Sequence, residues 1–245
     1  MLSKISAVLI FIFALCISDS YASPLRIPEK FVYDLTWTGI KAGTATLELT
    51  SDGDKIRIVS TAQSAPFISV FYTVDDRIES ILSRNPLFSA LGQPVNYRIK
   101  LREGRHRRDK EIVFDRITNK ASYRDYLKKE KKEFDVPPDV FDPLSSFYHL
   151  RTLELVVGKP VYVSVFDSKK VWNVEVQVLR RERITIPAGI FDTVVIKPDM
   201  KSEGIFYRKG EIFIWLTDDA KHIPVKLQTK VAVGSINATI VKGAY

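Results

Sequence analysis

The chain has 245 residues, 45% of them hydrophobic and 27% charged, with 37 basic against 29 acidic side chains and a net charge of +8. That length is ample for a core, and the single cysteine, Cys16, excludes a disulfide framework and a cysteine metal site. The basic surplus favours anionic partners and carries no information about fold.

Residues 1–22 read MLSKISAVLIFIFALCISDSYA: one early lysine (Lys4), an apolar run from Ala7 to Ile17, and small residues before Ser23. This is the pattern of a secretory signal peptide cleaved after Ala22. The run is shorter than the about 20 residues a membrane span needs, so the mature chain is expected not to be transmembrane. Cys16 follows Leu15 rather than a small residue, which argues against a lipid-anchor signal. Cleavage removes Lys4 and Asp19, leaves the charge balance unchanged, and leaves a mature chain without cysteine. Residues 23–245 are expected to form one domain in the periplasm, where nucleic acid is not an expected partner.

The mature chain alternates with the period of strands. Phe31, Tyr33, Leu35 and Trp37 share one face, a turn is expected over 39–43, and alternation resumes at 45–49, a hairpin. Further strands are expected at 55–62, 70–82, 94–103, 107–115 and 120–127, with 128–132 as a charged hairpin tip. One helix follows near 142–153. Asp142 suits the N-cap, Pro143 the first turn, and Leu144, Phe147 and Tyr148 form an apolar stripe. Beyond it come strands at 160–166, 170–184, 190–197, 210–216, 223–232 and 234–242. Short turns imply antiparallel pairing, and a dozen strands exceed what one flat sheet carries. The expected fold is mainly β: a curved antiparallel sheet, either an open barrel or a sandwich, with one short helix at one end.

Catalytic motifs are absent from the sequence: no His-Glu-x-x-His helix, no Gly-x-Ser-x-Gly elbow, no phosphate-cradling glycine loop. His106, His149 and His222 are far apart, no metal or cofactor is expected, and the catalytic residues, if there are any, are unassigned. Asp75 and Asp76 are adjacent in a strand and point to opposite faces. The most distinctive segment runs from Arg98 to Lys110. Arg98, Lys100 and Arg102 alternate with Ile99 and Leu101, and the turn at Glu103 and Gly104 brings Arg107 back alongside, with Arg105 in the turn. Like charges facing each other destabilise a hairpin unless acids or an anion intervene. Arg98, Lys100, Arg102, Arg105 and Arg107 are therefore a candidate anion-binding ribbon; the alternative is a solvated edge that resists aggregation.

Seven ordered segments carry a resemblance: YDLTWTGIKAGTATLEL (33–49), YTVDDRIES (72–80), REGRHRRDKEIVFD (102–115), DPLSSFYHLR (142–151), VFDSKKVWNVEVQVL (165–179), TIPAGIFDTVVI (185–196) and IWLTDDAKHIPVKL (214–227). Together they resemble the bacterial exported domain-of-unknown-function family DUF3108. The resemblance implies an exported, mostly β protein of a Gram-negative envelope and carries over no activity or site residue. Three functions are consistent with this reading. The first is non-enzymatic binding of an anionic or amphipathic envelope component such as an anionic lipid, lipopolysaccharide or polysaccharide. The second is an interaction module for an envelope protein. The third is a hydrolase of envelope polymers using acids such as Asp142, Asp167 or Asp218. If Ala22 marks the cleavage site, Ala22→Trp should make the precursor accumulate, and N-terminal sequencing of the parent should begin at Ser23 rather than Met1.

Overall fold

A computed structural model describes residues 25–85, 88–167, 169–199, 211–230 and 234–244. The expected signal peptide, with Cys16, lies outside the described residues. The elements in order are β1 (Glu29–Trp37), β2 (Ile40–Asp52), β3 (Lys55–Ser64), α1 (Pro66–Ser69), β4 (Asp75–Ser83), β5 (Gln93–Glu103), β6 (His106–Asp115), β7 (Lys120–Asp125) and β8 (Glu130–Asp135). After α2 (Pro143–Leu150) follow β9 (Val161–Asp167), β10 (Lys170–Ile186), β11 (Gly189–Pro198), β12 (Ile212–Thr217), β13 (Pro224–Lys230) and β14 (Ser235–Ala244).

The expected antiparallel β architecture is present as one open 14-stranded sheet, in the order β8-β7-β6-β5-β4-β3-β2-β1-β14-β13-β12-β11-β10-β9. Two meanders, β1 to β8 and β14 back to β9, are joined where β1 pairs antiparallel with β14. Strand reversal gathers the β1–β2, β3–β4, β5–β6, β7–β8, β9–β10 and β13–β14 connections at one end, termed the upper rim. The α2 segment and the β12–β13 turn lie at the lower rim. The sheet curls until its edges approach each other. The Lys169 ammonium donates to Glu130 at 2.7 Å and 2.9 Å, and the Phe134 and Phe166 rings lie 5.6 Å apart. No ladder joins β8 to β9, so side chains close this seam. Ahead of α2, Phe141 pairs with the free edge of β9: its N–H donates to Ser164 O at 2.9 Å, and Phe166 N–H donates to Phe141 O at 2.8 Å.

Several boundaries differ from the sequence expectation. The expected strand 70–82 begins only at Asp75, after the short helix α1. Hydroxyls explain the change. Ser64 Oγ and Ser69 Oγ share a 2.7 Å hydrogen bond, Ser69 Oγ donates to Ala65 O at 3.1 Å, and Val74 N–H donates to Ser64 Oγ at 2.9 Å. Side chains thus take over backbone groups that a ladder would otherwise satisfy. The expected charged tip at 128–132 shrinks to a tight turn, and Glu130–Asp135 (EKKEFD) forms β8. A strand this polar suits the edge, where charge discourages pairing with other chains. The first hairpin turns at Thr38 and Gly39, both at positive φ (47° and 87°), rather than over 39–43. Gly43 instead lies inside β2, where an added Cβ would fall 2.2 Å from Gln63 O. α2 ends at Leu150, short of residue 153. Of the expected strand positions, 210, 231 and 232 lie outside the described residues.

One buried ion pair fixes α2 to the sheet. Arg151, the C-cap of α2, is wholly buried with Glu29 of β1, to which it donates from Nη1 at 2.5 Å and Nη2 at 3.1 Å. Nε donates to His222 O at 3.0 Å and Nη2 also donates to Lys221 O at 3.2 Å, both in the β12–β13 turn. The guanidinium lies over the Phe31 and Tyr148 rings at 5.4 Å and 4.9 Å. Removing one partner leaves a buried charge uncompensated. Glu29→Ala is therefore expected to cost about 3–5 kcal/mol in urea unfolding, and Glu29→Leu combined with Arg151→Met to recover much of that loss. A cost below about 0.5 kcal/mol for Glu29→Ala would mean that the pair behaves like a surface contact.

Candidate functional site

α2 starts where the sequence places it. The Asp142 carboxylate accepts from Leu144 N–H and Ser145 N–H, both at 2.9 Å, while Ser145 Oγ accepts from Asp142 N–H at 3.2 Å, a reciprocal capping box. The second carboxylate oxygen accepts from Ser80 Oγ of β4 at 2.6 Å and Ser145 Oγ at 2.7 Å. Burial raises this carboxyl above its ordinary range, and the donors oppose the rise. The helix is thus held at its start by β4 and at its end by Glu29. Leu144 and Tyr148 of the apolar stripe are buried. Phe147 is only partly buried, and it is the one that packs against both of the core clusters described next.

The interior divides into two apolar clusters. One is built mainly from β1 to β7 with Val225 and Ile240. The other comes from β9 to β12 with Phe141, Leu150 and Leu155. Between them lies a cavity of about 370 Å³. Tyr33, Leu47 and Ile78 wall one side, and Val163, Val165, Val174, Val176, Ile212 and Ile214 the other. Leu144, Phe147 and Leu150 of α2 form its floor, and it extends to Asp76, Pro198 and Ile212 at the upper rim. Small side chains create the space. Tyr33, Ala45, Ala62 and Asp76 are successive partners across β1, β2, β3 and β4, and Leu47, Ser60 and Ile78 form the next row. The polar groups in this wall are few, and two of them are satisfied: Tyr33 Oη donates to Pro224 O at 2.8 Å and Ser146 Oγ to Pro143 O at 2.9 Å. The volume lies within the range of small-molecule sites.

The upper rim is charged. Asp76 points inward while its neighbour Asp75 is exposed, and Asp76 Oδ1 accepts Arg102 N–H at 2.9 Å. Burial, with Glu103 and Asp75 adding to it, pushes its carboxyl up to about 6 against the Arg102 N–H and the Arg108 charge. Arg108 also lines a second concavity of about 350 Å³ with His106, Arg107, Lys110, Asp125, Leu127 and Lys128. Asp125, the only acid in that wall, accepts Leu127 N–H at 3.1 Å, Lys128 N–H at 3.0 Å and Tyr123 Oη at 3.4 Å. Burial and the Arg108 charge lower the Lys110 ammonium from its ordinary value. This concavity suits an anion.

The five ribbon residues fall into two groups. Arg98 is engaged: it pairs with Asp109, donates to Lys110 O at 2.8 Å and lies 4.3 Å over the Tyr126 ring. Its cross-strand partner is Glu111, and that of Lys100 is Asp109, so acids intervene along this stretch. Arg102 faces Arg107, and Arg105 is exposed in the turn; Arg107 donates to Gly104 O at 2.7 Å and His106 O at 2.9 Å. Uncompensated charge therefore collects at the tip. Of the acids considered for hydrolysis, Asp142 caps α2, Asp167 ends β9, and Asp218 accepts from Arg181 at 2.7 Å. Among the described residues no group of three His, Cys, Asp or Glu side chains is placed to hold a metal ion, and no helix is long and apolar enough to cross a membrane. Sequence reasoning missed the cavity, although small residues at inward positions of adjacent strands (Ala45, Ser60, Ala62) are the signal that marks it.

A carboxyl raised on folding contributes stability that is present at low pH and lost as pH rises through its folded value. For Asp76 the loss is expected between about 4 and about 6. Asp76→Asn should flatten the urea midpoint over that range. An unchanged pH profile would mean that Asp76 titrates like a solvated carboxylate.

One solved structure shares this architecture at low sequence identity. The crystal structure of a β-barrel-like protein of the domain of unknown function DUF1849 from Brucella abortus matches 89% of this chain and 98% of its own at 13% identity, with a TM-score of 0.57. A candidate exported protein with a YmcC-like fold from Bacteroides fragilis covers 91% of this chain and 98% of its own, at 8% identity and a TM-score of 0.36. A candidate lipoprotein from Parabacteroides distasonis covers 90% and 97%, at 12% identity and a TM-score of 0.36. No curated protein matches the chain. The model of DUF3108, a family described as protein of unknown function, matches residues 32–241, which span the sheet from β1 to β14, and the chain belongs to that family.

Proposed function

We propose that the protein binds an amphipathic molecule of the cell envelope, without catalysing a reaction on it, in the periplasm. The aliphatic part occupies the cavity between the two core clusters, and the anionic head lies at the upper rim against the cations of the second concavity. The observation that carries this reading is the cavity itself. Its wall is apolar over two core clusters, a helix pinned at both ends floors it, and it reaches a rim rich in arginine and lysine. Apolar pockets with a few polar groups at one end fix both the affinity and the orientation of a ligand. The leader-like segment at residues 1–22 supports the periplasmic address.

The test is titration with a long-chain polyene fatty acid as fluorescent probe, with native mass spectrometry of protein taken from the periplasm. Ala62→Phe places a ring in the cavity and is expected to weaken probe binding at least about tenfold, a change of about 1.4 kcal/mol, with the circular dichroism spectrum retained. Co-purifying lipid supports the reading. Equal probe affinity of Ala62→Phe and parent would overturn it, as would a stoichiometric protein partner with no small molecule.

A further inference from the structure

We propose that the upper rim docks on an anionic lipid bilayer, with Phe67, Val70 and Phe71 entering the interface and Arg102 and Arg105 taking the lipid phosphates. This goes beyond ligand binding and stands on different residues. The β3–β4 connection carries Phe67 at 56%, Val70 at 76% and Phe71 at 89% exposure, three large apolar side chains within five residues. Such a cluster is informative where a single exposed apolar residue is not. These side chains are held out by a built turn. Val74 N–H donates to Ser64 Oγ across the two ends of the connection, Ser64 and Ser69 share a hydroxyl hydrogen bond within it, Ser69 N–H donates to Ala65 O at 2.9 Å, and Tyr72 N–H donates to Ile68 O at 2.8 Å.

The apolar knuckle and the basic turn form one unit. Gly104 N–H donates to Thr73 O at 2.8 Å, and the Tyr72 ring lies so close to Gly104 that an added Cβ would fall 2.7 Å from its Cε2. On the other flank, Ala65 N–H donates to Ala42 O at 2.8 Å and brings in Ile40, 59% exposed. Arg102 and Arg107 face each other across the β5–β6 hairpin, and Arg105 sits between them in the turn. Among the described residues none of the three makes an ion pair, and Arg107 spends its guanidinium on two main-chain oxygens. Apolar side chains flanked by cations that make no ion pair complement an anionic bilayer, in which the chains meet hydrocarbon and the cations meet phosphate. The cavity reaches this same rim at Asp76, whose carboxylate holds Arg102 N–H.

Co-sedimentation of the purified protein with vesicles tests the proposal, comparing phosphatidylcholine alone with phosphatidylcholine and phosphatidylglycerol in equal parts. The parent is expected to partition onto the mixed vesicles, and less as salt rises. Phe67→Ser with Phe71→Ser should lower the partition at least about tenfold, and Arg102→Gln with Arg105→Gln should lower it and flatten its salt dependence. Phe71→Trp should show a blue-shifted emission on the mixed vesicles. Fatty-acid probe binding from solution should be unchanged in all of these variants, which separates failure of docking from failure of the ligand site. A parent that stays in the supernatant with both vesicle types would overturn the proposal. So would a serine double variant that sediments like the parent, an unshifted Phe71→Trp emission, or a solution dimer that the serine variant dissolves and vesicles do not bind.

Discussion

A carboxylate and a guanidinium taken fully out of water are tolerable only if their polar atoms are paired, and all three guanidinium nitrogens of Arg151 donate, to Glu29 and to two carbonyls of the β12–β13 turn. The pair joins the first strand, the end of α2 and a turn near the far end of the chain, groups 122 and about 70 residues apart in sequence. Directional satisfaction of this kind tolerates few alternative placements of the helix. Apolar packing alone would let α2 slide along the inner face of the sheet. With Asp142 locked to Ser80 at one end and Arg151 to Glu29 at the other, the floor of the cavity has a fixed height.

The cavity follows from this constraint together with the choice of side chains. A helix that could sink further would bring the two clusters into contact through Leu144, Phe147 and Leu150. Held where it is, Phe147 touches both clusters and fills only part of the gap. The row of Ala45 and Ala62 opposite leaves the remainder unfilled. Interiors normally reach crystal-like packing density, so an apolar space of this size, at the junction of two well-packed clusters, is a feature the fold maintains against its own cohesion.

Most of the sheet was legible in the sequence because inward and outward residues alternate so regularly. In β5, Tyr97, Ile99 and Leu101 are buried between Arg98, Lys100 and Arg102. The helix was legible from its cap, since Asp142 and Pro143 signal a start through purely local chemistry. β8 was not, because Glu130–Asp135 offers only Phe134 as an inward apolar residue and owes its strand form to pairing with β7. The turn at α1 was hidden for the opposite reason. Val70, Phe71 and Tyr72 read as strand residues, and the serine hydroxyls that divert the backbone give no periodic signal. For the ribbon, the sequence supplied the cations and the hairpin. The register then decided which of them face acids: Arg98 opposite Glu111, Lys100 opposite Asp109, and Arg102 opposite another arginine. The cavity was missed because most buried residues read alike whether they touch each other or surround a space, and only the small inward residues Ala45, Ser60 and Ala62 set it apart.

The side-chain seam between β8 and β9 has a geometric consequence. A barrel closed by hydrogen bonds all the way round must return to its own register, which ties strand number, stagger and diameter to a small set of discrete solutions. Here the circuit ends at two edges bridged by an ion pair and an aromatic contact, Lys169 with Glu130 and Phe134 with Phe166. Neither contact counts residues as a ladder does. The circumference is therefore set by side-chain contacts along this line and by the Phe141 main-chain bonds to β9, not by a register that the fourteen-stranded sheet must return to.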